Sequence, residues 1–369
     1  MMFKPWLLID RWLLVILLML AAIGLLTLYS AVHHGEIHIW YRQLSYWLVG
    51  LTAFLILALI PLRLLGLLAW PVFAFALLCL ALVPLMGDVQ MGARRWITIG
   101  PVHLQPSEIM KWALMLVLAH WFANREPDGW LAIIVAVCLT AVPAALIVVQ
   151  PDLGTSLVLL LAATAMLVAA GFPWRYLFSI VAMMPFAGWY VWLHMHQYQK
   201  QRVLTFLDPQ TDPLGAGYHV IQSMISIGSG GLWGKGYLTG TQSRLNFLPE
   251  QHTDFIFSVL AEEAGLIGVF VLLLLFALLV HRMLHIASIA HTRFAALVTV
   301  GVCSIFMIYI FVNIAMVSGV LPVVGVPLPF VSYGGSALVS MLAALGMVAR
   351  VSIEAHAVLP WQRGGSPLA

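Results

Sequence analysis

The sequence predicts an all-α polytopic integral membrane protein with about ten transmembrane helices and a large extracytoplasmic loop between spans 7 and 8. Of its 369 residues, 63% are hydrophobic and only 8% are charged, and the mean hydropathy is +1.02. Soluble domains are about 45–50% apolar, so this composition excludes an ordinary soluble fold. The formal net charge of +3 is too small to indicate a nucleic-acid partner.

Ten apolar runs are each close to the length of about 20 residues that a helix needs to cross a bilayer. They lie near residues 12–32, 44–62, 64–86, 107–123, 130–149, 155–171, 175–195, 254–281, 292–317 and 334–353. The first run follows basic residues but continues to Val32 without a clear cleavage site, which indicates an uncleaved span. We expect one membrane domain over residues 1–355 and a cytoplasmic tail at 356–369.

The distribution of Lys and Arg predicts the orientation of the chain. Basic residues concentrate on the side of the N-terminus and are sparse in the short loops on the other side. By the positive-inside rule, both termini are cytoplasmic and the loop at 196–253 is extracytoplasmic. Within that loop, the apolar stretch Tyr218–Ile227 predicts a short helix on the membrane surface. The run Gly228–Gly240 lacks the spacing of a nucleotide-binding loop.

The connection at 318–336 contains three prolines and four glycines, so it is not a regular helix. Non-helical backbone at membrane depth persists only against protein or a watery cavity. We therefore expect a re-entrant segment that lines an outer cavity, and the alternative is an exposed loop.

Titratable side chains cluster in the stretch Leu248–Glu263, at the start of the eighth span. The stretch carries Glu250, His252, Asp254, Glu262 and Glu263. Asp254 lies at the outer start of the span, where a carboxylate is suited to act as a base or to cap the helix.

A second polar group opens the fourth span. Glu108 and Lys111 are three residues apart, so they share a helix face and are expected to pair. The preceding loop at 87–106 is polar and contains Arg94 and Arg95, which face either lipid headgroups or, for Arg95, the cavity. Asp152 projects from a tight outer turn and either orients Lys111 or Arg95 or closes the turn.

Four sequence blocks resemble the motifs of the SEDS family (shape, elongation, division and sporulation). They are GARRWITIG with QPSEIMK, QPDLGTS, LPEQHTDFIFSVLAEE and LPVVGVPLPFVSYGGSA, and the match extends over the ten spans. The segment LDPQTDPLGAGYHVIQS and the glycine-rich sequence after it are similar to the rod-shape branch of the family rather than its division branch.

The resemblance implies a peptidoglycan glycosyltransferase in the bacterial cytoplasmic (inner) membrane. It implies lipid II as the substrate, a role in cell elongation with the elongation machinery, and a class B penicillin-binding protein as the cross-linking partner. It also implies that Asp254 is the catalytic carboxylate and that Glu108 and Lys111 are functionally sensitive.

Forming a β-1,4 bond from an α-linked pyrophosphate requires one inverting displacement with a base for the attacking hydroxyl. The leaving pyrophosphate requires cationic stabilisation. Candidate substrate-binding residues are Gln105, Glu108 and Lys111, together with Arg42, Arg95, Asp152, Arg202 and His252. A divalent cation, Mg²⁺ or Mn²⁺, held by Asp254 and the pyrophosphate is a further expectation, whereas the three cysteines, all in apolar runs, do not predict a zinc site.

A lipid II flippase is the alternative function, because ten spans and a polar cavity suit both activities. A flippase needs polar groups along a path through both leaflets. Here the intramembrane charges gather near the predicted outer face, which favours a one-sided active site.

Overall fold

The computed structural model describes residues 9–33, 35–90, 93–99, 102–125, 127, 130–195, 197, 200, 216–241 and 251–362. Its first part contains α1 (Arg11–Val32), α2 (Ile37–Leu59), α3 (Leu62–Met86), β1 (Asp88–Gln90), β2 (Ala93–Ile99) and β3 (Val102–Leu104). Then follow α4 (Pro106–Ala123), α5 (Trp130–Val149), α6 (Leu153–Ala169), α7 (Trp174–His194), α8 (Ala216–Ser229), α9 (Ile256–Ser288), α10 (Arg293–Val317) and α11 (Gly335–Gln362).

The all-α membrane fold is confirmed, and each predicted span overlaps a helix of the structure. Among the described residues, seven helices are long and apolar enough to cross a membrane, namely α1, α2, α3, α5, α9, α10 and α11. The count of ten spans stays a prediction. Three boundaries differ clearly from those expected: α2 begins at Ile37 rather than at residue 44, α9 ends at Ser288 rather than at residue 281, and α11 continues past residue 355 to Gln362.

The segment expected to be a polar loop before α4 contains a small antiparallel sheet in the order β1-β2-β3. Asp88 pairs with Trp96, and Thr98 pairs with His103. All four residues of Trp96–Ile99 are aromatic or β-branched, which favours a strand. The sheet positions Arg94 and Arg95 just before α4.

Helix α4 lies at the centre of the bundle, packed against α3, α5, α6, α10 and α11. Nearly every side chain from Pro106 to Ala119 is buried. Small residues allow close helix packing elsewhere, as in membrane proteins generally. Gly346 of α11, for example, lies so close to α2 that a Cβ there would overlap the carbonyl oxygen of Phe54.

The segment at 318–336 is non-helical from 318 to 334; it is mostly buried from 326 to 332, whereas the residues before 326 are partly or fully exposed. Val326, Leu328 and Phe330 are at most 2% exposed. Glycines on two neighbouring helices admit this segment, because a Cβ at Gly24 of α1 or at Gly154 of α6 would overlap one of its carbonyl oxygens. The segment is therefore non-helical and packed against protein over residues 326–332. Its re-entrant placement in the membrane stays a prediction.

Helix α8 forms where the short surface helix was expected, but one side of it packs inside the protein. Ser223 and Ser226 are fully buried. The hydroxyl of Ser223 donates to the carbonyl oxygen of Val317 at 2.7 Å, and that of Ser226 to the carbonyl oxygen of Ser258 at 3.2 Å. This face of α8 is therefore joined to α9 and to the end of α10.

The glycine-rich run after α8 docks its backbone onto a break in α9. Gly265 has a φ of 62°, which interrupts the helix and is a conformation that glycine adopts easily. The amide of Leu266 donates to Gly231 O at 2.9 Å, and the amide of Lys235 donates to Glu262 O at 3.0 Å. The glycines of this run therefore serve close backbone packing.

Candidate functional site

Asp254 lies in a turn directly before α9, and its side chain is half-buried. Phe255 occupies the N-cap position of α9, so the helix begins at Ile256. The expectation that Asp254 itself begins the span is therefore two residues early. Asp254 still lies at the entrance to the helix, and its side chain is partly exposed.

The turn at residues 251–255, the Asp254 turn, contacts the re-entrant segment at two points. The amide of Tyr333 donates to the carbonyl oxygen of His252 at 2.8 Å, and the two rings lie 5.7 Å apart. The Asp254 carboxylate faces the same segment, since a Cβ added at Gly325 would lie 3.7 Å from its Oδ2. Backbone of the 318–336 segment therefore borders the carboxylate closely.

The expected pairing of Glu108 with Lys111 is present in the centre of the bundle. The Lys111 Nζ lies 2.7 Å from Glu108 Oε1, and the two residues are 0% and 5% exposed. Ser340 of α11 donates to the other Glu108 oxygen at 2.9 Å, and the Tyr309 hydroxyl lies 3.4 Å from Oε1. The Lys111 ammonium also lies 4.4 Å from the centroid of the Tyr309 ring.

This pair is a costly arrangement, because both charges are removed from water. Their mutual contact and the two hydroxyl donors offset that cost, and these donors come from α10 and α11. The pair thus joins three helices through one network.

One face of α10 connects this buried pair with the Asp254 turn. Tyr309 contacts Glu108 and Lys111, and Asn313 donates to the carbonyl oxygen of Asp254 at 3.1 Å. Residues four apart lie on the same helix face, about 6 Å apart along the axis. The two groups that the sequence singled out therefore contact adjacent turns of the same helix.

A third polar group surrounds Asp152 at the start of α6. Asp152 accepts from the backbone amide of Thr155 at 3.2 Å and so caps the helix. Gln105 donates to its other oxygen at 3.2 Å, and Arg95 Nη1 lies 3.9 Å away. Of the expected roles, Asp152 therefore both closes the turn and contacts Arg95.

Three of the arginines considered from the sequence are accessible. The Arg95 side chain is 30% exposed and donates through Nε to the carbonyl oxygen of Gln150 at 3.2 Å. Arg42 is exposed on α2 and hydrogen-bonds Tyr333, which lies outside the helices. Arg94 is exposed and donates to Pro84 O at 3.2 Å.

Two candidates, Arg202 and Glu250, lie outside the described residues. Within the described ranges, no group of three or more His, Cys, Asp or Glu side chains is arranged to hold a metal ion. The described residues therefore do not form a metal cage by themselves, and the expected divalent cation stays a prediction.

Sequence reasoning missed Tyr309, Asn313 and Ser340, which contact the candidate residues from α10 and α11. The signal was available, since a polar side chain inside an apolar span requires a partner. Asn313 is one such residue within α10. What the sequence did not supply was the identity of that partner.

Glu262 and Glu263, which are not among the predicted catalytic residues, contact the glycine-rich run and α1. Lys235 Nζ and the Thr241 amide donate to Glu262 Oε1 at 2.7 and 2.8 Å. Glu263 accepts from the Ser30 hydroxyl of α1. The Glu262 contacts hold the run against α9, and the Glu263 contact joins α9 to α1.

The sequence matches a family described as cell cycle protein, which comprises FtsW, RodA and SpoVE, over residues 10–357. The chain belongs to this family. Among its curated relatives, the peptidoglycan glycosyltransferase MrdB of Escherichia coli is 45% identical over 351 residues, which cover 94% of each chain. Stage V sporulation protein E of Bacillus subtilis is 38% identical over 289 residues, covering 76% of this chain and 77% of that protein.

Solved structures of the FtsW/RodA/SpoVE family have the same fold. The rod shape determining protein RodA of Thermus thermophilus is 31% identical, with a TM-score of 0.73 over 94% of this chain and 97% of that chain. A chain from a peptidoglycan synthase complex, studied for its coordination of polymerization and crosslinking, is 33% identical with a TM-score of 0.82. That match covers 94% of this chain and 98% of the other. The resemblance stated from the sequence motifs is confirmed.

Proposed function

We propose that this chain polymerises lipid II into β-1,4-linked glycan strands, with Asp254 as the base that receives the proton of the attacking hydroxyl. The chain is a membrane-embedded peptidoglycan glycosyltransferase, in line with the curated relatives that carry this name. The observation that carries the assignment of the site is the position of the half-buried Asp254 carboxylate against the glycine-containing re-entrant segment.

The chemistry requires a base with access to the substrate and a scaffold that fixes it. An attacking sugar hydroxyl has a very high pKa, and a positioned base that accepts its proton accelerates transfer by about 10²–10⁴-fold. Asp254 lies at a helix entrance whose backbone is held by Asn313, and its neighbour His252 is held by Tyr333. Asp254 accepts the proton as the hydroxyl oxygen attacks the anomeric carbon and the bond to the pyrophosphate breaks.

The leaving pyrophosphate is stabilised by cations on both sides of the re-entrant segment. Arg42 hydrogen-bonds Tyr333 at one end of the segment. Arg95 contacts Asp152, and Gly154, two residues further, packs against Val324, the neighbour of Gly325. Arg42 is exposed, and Arg95, which donates to the carbonyl oxygens of Gln150 and Pro151, is 30% exposed, so each guanidinium group is accessible to phosphate oxygens.

Lys111 acts from a different position, because it is fully buried and paired with Glu108. We assign the pair an indirect role in this reaction: through Tyr309, one turn from Asn313, it fixes the α10 face on which the Asp254 turn depends. Gln105 orients Asp152 by its hydrogen bond and completes the Arg95 side of the site.

We also propose a location and a partner for the enzyme. The protein is a bacterial membrane protein; we place both termini in the cytoplasm and the active site at the outer face of the cytoplasmic membrane, because Lys and Arg are sparse in the short outer loops. A class B penicillin-binding protein is the proposed partner, supported by the likeness to a chain of a peptidoglycan synthase complex. That partner cross-links the strands which this chain makes during cell elongation.

The test is glycan polymerisation from purified lipid II in detergent, with the proposed partner present, comparing wild type, Asp254→Asn and Asp88→Asn. Asp88 is exposed on β1, so its substitution is a matched change of charge outside the site. We expect polymer from wild type and Asp88→Asn, and a loss of about 10²-fold or more for Asp254→Asn.

Normal polymerisation by folded Asp254→Asn protein would show that Asp254 is not the base. If wild type makes no polymer with or without Mg²⁺ or Mn²⁺, transport of lipid II across vesicle membranes is measured next. Transport without polymerisation would favour the flippase alternative over the enzyme.

A further inference from the structure

We infer that Asn313 is a positioning residue, which holds the Asp254 turn and the re-entrant segment in register for glycosyl transfer. The inference rests on the proposed function, because Asn313 acts only through Asp254. It concerns a side chain that neither the sequence motifs nor the names of the relatives single out.

The carboxamide of Asn313 joins two segments that are far apart in the sequence. Asn313 is fully buried on α10. Its Nδ2 donates to the carbonyl oxygen of Asp254 at 3.1 Å and to that of Val326 at 2.7 Å. Both of its N–H groups are therefore engaged, one by the Asp254 turn and one by the re-entrant segment.

The two carbonyls that Asn313 holds belong to Asp254 itself and to the residue after Gly325. The carboxylate lies next to Gly325, where an added Cβ would be 3.7 Å from Oδ2. Gly325 directly precedes Val326. Asn313 therefore fixes the backbone of Asp254 and the backbone opposite its carboxylate at the same time, and its loss frees both.

The chemistry of the position requires a carboxamide. Two carbonyl oxygens require two donors, which an aliphatic or carboxylate side chain does not supply. The Oδ1 of Asn313 has no hydrogen-bond partner within the part of the chain that the structure describes. Within that part of the chain, the hydrogen bonds of the Asn313 side chain are thus made through Nδ2. A leucine at this position is of similar size, so it fills the space but removes both hydrogen bonds.

The same helix face also carries the contact to the buried ion pair. Tyr309, four residues before Asn313, lies beside Lys111 and Glu108. Because α10 is packed against both α4 and α6, this face has little freedom to move. A side chain fixed on it is a rigid reference for the two segments that meet at the proposed base.

The test compares kcat and KM for lipid II polymerisation by wild type, Asn313→Leu, Asn313→Ser and Thr299→Val. Thr299 is a matched control, since its buried hydroxyl on α10 donates only within the same helix, to Ala295 O at 2.9 Å. A misplacement of about 1 Å costs on the order of 10²-fold, so we expect kcat to fall by about 10–100-fold for Asn313→Leu.

We expect KM to change by less than about 2-fold in that variant, because an interaction used in the transition state is lost rather than substrate binding. Asn313→Ser keeps one donor and is expected to lose less activity than Asn313→Leu. Thr299→Val is expected to stay within about 2-fold of wild type in both constants.

Asp254→Asn, measured in parallel, separates the two possible failures. If Asp254→Asn is inactive while folded Asn313→Leu retains the wild-type kcat, or changes only KM, the inference about Asn313 is wrong and the proposed function stands. If Asp254→Asn polymerises normally, the proposed base is wrong and the role of Asn313 falls with it. Should Asn313→Leu not fold, the same kcat criterion applies to Asn313→Ser.

Discussion

Removing the charge of Lys111 is expected to destabilise the fold strongly, and removing the charge of Glu108 as well is expected to restore it. In Lys111→Met, Glu108 loses the ammonium that lies 2.7 Å away while it stays only 5% exposed. Breaking a buried pair by removing one partner costs about 3–5 kcal/mol, because an uncompensated charge is left in the interior.

The double variant Glu108→Gln with Lys111→Met leaves no charge at this position. Replacing a buried pair by neutral side chains of similar size is often close to neutral in stability. The introduced carboxamide oxygen still accepts from the Ser340 hydroxyl, which donates to Glu108 at 2.9 Å in the wild type. We therefore expect the double variant to recover most of the loss, to within about 1 kcal/mol of wild type.

The assay is reversible unfolding in mixed detergent micelles, with glycan polymerisation measured on the same preparations. Thr299→Val serves as the control for an isosteric change in a buried, hydrogen-bonded residue. If Lys111→Met unfolds within about 1 kcal/mol of wild type, or if the double variant is no more stable than the single one, the pair is not a coupled buried network. A double variant that is stable but inactive assigns the charges to function rather than to folding.

Two further predictions concern the re-entrant segment and the start of α1. Gly154→Ala is expected to destabilise the protein by about 1–3 kcal/mol in the same unfolding assay, because the added Cβ would overlap Val324 O. Gly188→Ala is the control, since an added Cβ there meets nothing within 4 Å. Equal stability of the two variants would contradict the close packing at Gly154. Burial raises the pKa of Asp10, but hydrogen bonds from Arg282 and the Leu13 amide outweigh this, so its pKa lies below the ordinary value. Since its pKa is lower in the folded state, ionised Asp10 stabilises the fold at neutral pH, and this contribution is lost as the pH falls below about 4. The difference in unfolding free energy between wild type and Asp10→Asn should therefore shrink between pH 7 and pH 3. A constant difference would show that the ionised Asp10 carboxylate does not stabilise the fold.

Several elements could be predicted because their signals are local. Apolar runs specify helices in lipid, since backbone groups there must be hydrogen-bonded within the segment. The three-residue spacing of Glu108 and Lys111 specified their contact, because it is set by helix geometry alone. The prolines and glycines at 318–336 likewise excluded a regular helix before the structure was known.

Other features depended on neighbours that lie far away in the chain. The start of α2 was placed too late because its first turns carry polar residues such as Arg42 and Gln43. Gln43 is buried and donates to Ser332 O at 3.1 Å, a partner that its local sequence does not reveal. The glycine-rich run lacks the spacing of a nucleotide-binding loop, but its docking onto the break at Gly265 is a tertiary contact that the local sequence does not reveal.

The sequence by itself determined the membrane class, the family and the residue types that carry the proposed chemistry, because hydropathy and motifs are properties of adjacent residues. Only the tertiary structure decided which of those residues meet. It brought Asn313 to the Asp254 turn and Tyr309 to the Glu108–Lys111 pair on adjacent turns of α10. The physical reason is that a buried polar group needs a partner, and helix packing across the bundle, rather than proximity in the chain, supplies it.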